Sequence, residues 1–178
     1  RGFIASGTGS IDVQDVDFRE SVAGEGSCFI CYTGGNLSLV NSKMQGFAVT
    51  IRCGTGTIYI RNIWIDKPAQ NGFKLDCPYD QPIATSVQIL DSLFTAGSPT
   101  QQDLLVLHDG GIGLLTGAII DNCTLEVTGD AYVESGIDIQ QQFKGTIVRN
   151  CTVIGASQWG LVMGSLYKGG ASSYTFNT

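Results

Sequence analysis

The chain has 178 residues, enough for one domain of ordinary size, with 43% hydrophobic and 15% charged residues, 24 glycines and a formal net charge of −6. Low charge with high apolar content excludes a disordered tail, glycines without a three-residue period exclude collagen, and no apolar run approaches the length that inserts into a membrane. Only ten lysines and arginines stand against a nucleic-acid partner, which needs basic stripes.

The chain opens on Gly2, Phe3, Ile4 and Ala5 and closes on Ser173, Tyr174, Thr175 and Phe176, both strand-like, so residues 1–178 read as one β domain within a longer chain. Between them, short apolar alternations recur: Ile11 and Val13, Leu37 and Leu39, Ile58 and Ile60, Val87 and Ile89. Two residues after each stands an Asp or Asn, in the series Asp15, Asn41, Asn62, Asp91, Asn122, Asn150 and Asn177. The intervals are 26, 21, 29, 31, 28 and 27 residues, a period that belongs to solenoids or arrays.

After each Asp or Asn a second alternation follows: Val16 and Phe18, Ser42 and Met44, Ile63 and Ile65, Ser92 and Phe94, Cys123 and Leu125, Cys151 and Val153. A third comes later: Cys28 and Ile30, Val49 and Ile51, Phe73 and Leu75, Leu105 and Leu107, Ile137 and Ile139, Leu161 and Met163. Each repeat therefore holds three short strands, and the Asp or Asn marks a corner that needs a positive φ. Asn and Asp tolerate that conformation better than other residues with a side chain. Stacked at one corner, their side chains can also bond in a ladder. Helical periodicity is nearly absent.

Three strands per coil, a period near 27 residues and an Asn corner resemble the right-handed parallel β-helix of the pectate lyase-like superfamily. The resemblance covers the whole chain as about six coils, with both ends open. The irregular coil length, low charge and Ser-, Thr-, Gly- and Asn-rich strands look most like the β-helix body of a bacteriophage tailspike. That resemblance implies a bacterial surface polysaccharide as partner, a homotrimer, and a virion-tail or extracellular location. The superfamily's enzyme motifs are absent: there is no acidic calcium cluster, no paired Asp-Asp, and His108 is not flanked by glycine. No catalytic residue carries over by motif, and no cofactor or metal is implied.

Candidate chemistry lies on the outward positions of the third strand. One column reads Arg52, Asp76, His108 and Gln140, with Lys74 and Asp138 in the column beside it. Carboxylates one or two coil spacings apart, about 5–10 Å, suit paired acids in glycoside hydrolysis. This makes Asp76, His108 and Asp138 candidate catalytic groups. Arg52, Lys74 and Gln140 are candidate substrate contacts, as is Trp64, which points outward between inward Ile63 and Ile65. Asp103, Asp109, Asp130 and Glu134 fall on flanking loops, 96–103 and 127–135, that could wall a cleft. Trp159, Tyr79 and Tyr132 are further sugar-stacking candidates. The residues leave three functions open: a polysaccharide-binding and -cleaving spike body, with hydrolysis ahead of elimination; a non-catalytic display rod; and a secreted polysaccharide lyase or epimerase.

In this register Cys28 points inward and Cys31 outward, so the Cys28-x-x-Cys31 spacing does not converge on a metal. Cys53 and Cys77 stack, as do Cys123 and Cys151, which reads as reduced interior filling. Three Asn-x-Ser/Thr sequons, at Asn36, Asn122 and Asn150, read as chance matches, two of them inside the corner series.

Overall fold

The computed structural model describes residues 3–7, 9–19, 28–33, 35–46, 48–53, 56–67, 73–77, 86–97, 101–109, 115–116, 118–129, 131–140, 143–156, 158–164 and 174–177. Their architecture is an all-β parallel solenoid; no helix occurs among the described residues. Sheet A stacks seven strands: Phe3–Gly7, Cys28–Thr33, Ala48–Cys53, Phe73–Cys77, Gln101–Asp109, Val133–Gln140 and Trp159–Gly164. Sheet B also has seven, from Ile11–Gln14 to Tyr174–Asn177, and sheet C has six, from Asp17–Arg19 to Thr152–Ile154. A strand pair Leu115–Thr116 and Phe143–Lys144 lies apart from the three.

The core is a column fed by the inward positions of all three sheets. Leu39 and Ile60 from sheet B, Ile65 and Phe94 from sheet C, and Ile51, Leu75 and Leu107 from sheet A are fully buried. Burial alternates along the strands, as in Leu37–Val40 and Ser86–Leu90, because a period of two sends every other side chain inward. No single turn encloses this column alone, so stability is shared between neighbouring turns.

The corner between sheets B and C is made by Asp15, Asn41, Asn62, Asp91, Asn122 and Asn150, whose φ angles lie between 50° and 55°. The Asn41 amide donates to Asp15 Oδ1 at 3.1 Å, Asn62 to Asn41 Oδ1 at 2.8 Å, and Asn122 to Asp91 Oδ1 at 2.9 Å. Asn122→Ala removes one of these bonds and forces Ala into the left-handed region, a combined loss of about 1–2 kcal/mol. Asn122→Gly loses only the bond, so in urea denaturation it should fall between the alanine variant and the wild type.

Directly after the corner, Ser42, Ser92, Cys123 and Cys151 hold equivalent places. Each bonds the carbonyl two residues back: Ser42 Oγ to Val40 at 2.8 Å, Ser92 Oγ to Leu90 at 2.7 Å, Cys123 Sγ to Asp121 at 3.4 Å and Cys151 Sγ to Arg149 at 3.1 Å. Cys123 and Cys151 are free thiols that take the serine's part in this turn as well as filling space.

Entry into sheet B depends on a glycine stack. Gly9, Gly35 and Gly56 precede the register partners Ile11, Leu37 and Ile58 by two residues. A Cβ on Gly56 would run into the Gly35 carbonyl, and one on Gly35 would lie 2.7 Å from the Gly9 carbonyl carbon and oxygen. Gly56→Ala should therefore cost about 1–3 kcal/mol by urea denaturation. Gly9→Ala meets nothing within 4 Å and should stay near neutral.

Two sequence expectations shift by one residue. Phe29 and Cys31, rather than Cys28 and Ile30, align with Val49 and Ile51, and Cys28 pairs with Ala48. Every residue from Cys28 to Tyr32 is apolar, so alternation carries no phase there. Asn177 pairs with Arg149 instead of Asn150, so it lies within a strand and does not continue the corner series. Its spacing from Asn150 matched the period, but the register falls one position short.

Candidate functional site

Strand register lines up Arg52, Asp76, His108 and Gln140 on four adjacent strands of sheet A. Thr50, Lys74, Val106, Asp138 and Val162 form the neighbouring column. Adjacent strands stand about 4.8 Å apart, so Asp76 and His108 are one spacing apart and Lys74 and Asp138 two. The side chains of Arg52, Asp76, His108 and Gln140 lie outside the described residues. Lys74 is half-buried, and Val106 fills the place between it and Asp138. Asp138 is only 6% exposed and Val106 is buried, so this part of the outer face is desolvated, unlike an ordinary charge ladder.

Trp64 does not join this group. It belongs to sheet C, in register with Lys43 and Leu93. Tyr79 and Asp130 lie outside the described residues, and for Asp109 only the strand is described.

A stretch of sheet A buried on successive residues adds a residue to the site. Leu104 to Leu107 and Ser135 to Ile139 are buried without interruption, so the usual alternation is lost on two adjacent strands. A Cβ on Gly136 would collide with the Val153 side chain from sheet C and come within 2.8 Å of the Gly160 carbonyl oxygen, so the close packing there requires glycine. Asp103 and Ser135 lie in register, and three positions on so do Val106 and Asp138. Asp103 was expected on a loop, but it lies on strand Gln101–Asp109, and Glu134 and Ser135 lie on strand Val133–Gln140.

The carboxyl of Asp103 is pushed up from 3.8 to about 6. Burial is the main cause, followed in the same direction by the negative charges of Asp138 and Glu134. Hydrogen bonds from the Ser135 hydroxyl and backbone N–H oppose it. One carboxyl thus keeps its proton into the weakly acidic range near two other acids, an arrangement from which acid and base roles can be divided. Ser135 also pairs with Trp159, which is 54% exposed, so Asp103, Ser135 and Trp159 form a line across three turns. Exposed Tyr132 accepts a hydrogen bond from Gln158 Nε2 at 2.5 Å and adds a second aromatic nearby in the chain. Among the described residues, no group of three or more His, Cys, Asp or Glu side chains could hold a metal ion.

Residues missed as site members could have been flagged by one signal. The apolar pair Leu104 and Leu105 interrupts the alternation directly after Asp103, which lies on the strand rather than on a loop. No family model matches the chain, and neither a curated protein nor a solved structure matches it.

Proposed function

We propose that the chain is a polysaccharide-binding and polysaccharide-cleaving β-helix body, of the kind carried by tailspike-like proteins, acting by hydrolysis on the outer face of sheet A. The observation that carries this reading is the half-buried Asp103 carboxyl, pushed up to about 6 by burial and by the nearby acids Asp138 and Glu134, with Asp138 on the adjacent strand of sheet A three positions out of register. In this mechanism Asp103 donates its proton to the leaving glycosidic oxygen. Asp138 acts as the partner carboxylate that stabilises positive charge at the anomeric carbon or activates water. Asp76 and His108, one column over, serve proton traffic, and Arg52, Lys74 and Gln140 hold hydroxyl or acidic groups of the chain. Trp159 offers a ring face to a sugar. A trimeric, extracellular spike on a virion tail is the setting that fits this reading.

The test is turnover on a panel of capsular, lipopolysaccharide and acidic plant polysaccharides, following reducing ends and unsaturated uronate absorbance together. Reducing ends without unsaturation, lost in Asp76→Ala/His108→Ala/Asp138→Ala, are the expected result. Unsaturated products would replace hydrolysis with elimination. Absence of turnover on every polymer would leave the chain a display rod and overturn the reading.

A further inference from the structure

No side-chain bond joins Asn62 to Asp91 in the corner ladder, and that gap lies in a groove. Asn62 donates one amide N–H to Asn41 Oδ1, in the sense in which Asn41 donates to Asp15 and leaves its own Oδ1 to the following turn. The residue on the turn after Asn62 is Asp91, whose carboxyl is held below its ordinary range, first by the Asn122 amide and also by Arg61, so it has no proton to give. Asp91 Oδ1 takes the Asn122 amide at 2.9 Å, and Oδ2 takes Arg61 Nε at 2.9 Å. Two acceptors therefore succeed one another here, whereas Asp15–Asn41, Asn41–Asn62 and Asp91–Asn122 each join a donor to an acceptor, and Asn150 turns its amide to Asp121.

The groove has a volume of about 480 Å³, and Asn62, Asp91, Trp64, Leu93, Lys43 and Asp17 are among its lining residues. Trp64 is 37% exposed, yet its ring is fixed from behind: Nε1 donates to Thr95 Oγ1 at 3.2 Å, and Thr95 donates to buried Asp66 at 2.8 Å. An aromatic held this way binds without first losing side-chain freedom. Trp64 and its register partner Leu93 give an apolar floor, and Asn62 and Asp91 give acceptors above it. The Lys43 ammonium rests 3.4 Å from the ring centroid, a weak contact that a ligand ring can displace. Asp15, Asp17 and Asp91 outnumber Lys43 along the groove, which disfavours an anionic ligand.

We propose that this corner groove is a second binding site, for a non-anionic saccharide whose hydroxyls donate to Asn62 and Asp91 while a ring face packs on Trp64. The site lies on the corner between sheets B and C, away from the acids of sheet A, and does not depend on their role.

The test uses Trp159→Phe protein, in which Trp64 is the remaining tryptophan, titrated with cellohexaose, maltohexaose, xylohexaose and mannohexaose, with hexagalacturonate as the anionic comparison. At least one neutral hexasaccharide should change Trp64 fluorescence saturably, and hexagalacturonate should bind more weakly. Asp91→Asn supplies the missing donor to Asn62 and should weaken binding by about tenfold or more while the fold is kept. Asp103→Asn and Asp138→Asn should leave the titration unchanged, which separates this site from sheet A. No response to any neutral hexasaccharide, a preference for hexagalacturonate, or binding indifferent to Asp91→Asn would overturn the proposal.

Discussion

Phe94→Ala should lower stability by about 3–5 kcal/mol, the largest loss expected from a single core truncation here. Phe94 on sheet C and Phe73 on sheet A are both fully buried and meet edge to face, with ring centroids 6.3 Å apart at 75°. Their contact crosses the interior and ties the two sheets together at mid-column. The cavity left by alanine cannot collapse, because the strands on either side are fixed by backbone bonds to the turns above and below. Phe94→Leu keeps most of the volume and should lose less than half as much. Urea denaturation followed by far-ultraviolet circular dichroism reads both. A loss under about 1 kcal/mol for the alanine variant would mean that the rings are not packed as described.

Asp103→Asn should move stability and activity in opposite directions. Folding raises the Asp103 carboxyl from 3.8 to about 6, so the folded state favours its protonated form. The stability linked to that proton is complete below the ordinary carboxylate value and is lost as pH rises through about 6, where the ionised group becomes a standing penalty. Replacing it with a neutral amide should stabilise the protein above that pH by on the order of 1 kcal/mol, after allowance for partial exposure and solvent screening. The gain should fade towards zero near pH 4, roughly the unperturbed carboxylate value. Cleavage should fall by about 100- to 10,000-fold, the usual contribution of a positioned proton donor. Stabilisation with loss of turnover is the signature of a functional group kept at a cost to the fold.

Much of the fold was legible because the corner residues are chemically distinctive. Asp15, Asn41, Asn62, Asp91, Asn122 and Asn150 all adopt the left-handed conformation that their spacing implies. The columns containing Asp76, His108 and Asp138 were also readable, because Phe73, Leu75, Leu105, Leu107, Ile137 and Ile139 alternate clearly with polar neighbours. Phase was lost at Cys28–Thr33, where consecutive apolar residues fit either register. Asp103 was misplaced for a different reason. Consecutive Leu104 and Leu105 mark its stretch as unusual, but its neighbours Ser135, Asp138 and Glu134 come from the next turn, a tertiary relation that local periodicity does not encode. The groove at Trp64 was hidden for a similar reason, since a missing donor at Asp91 has meaning only once Asn62 and Asn122 are known to flank it in the stack.

The most direct test of the proposed hydrolytic pair is the pH dependence of reducing-end release from a cleaved polysaccharide, measured for the wild type and Asp103→Asn. The proposed roles of Asp103 and Asp138 predict a wild-type rate that declines as pH rises through about 6, and a variant whose small residual rate lacks that decline. A decline of the same position and size in both proteins would contradict Asp103 as the proton donor, and with it the acid and base roles assigned to Asp103 and Asp138 on sheet A.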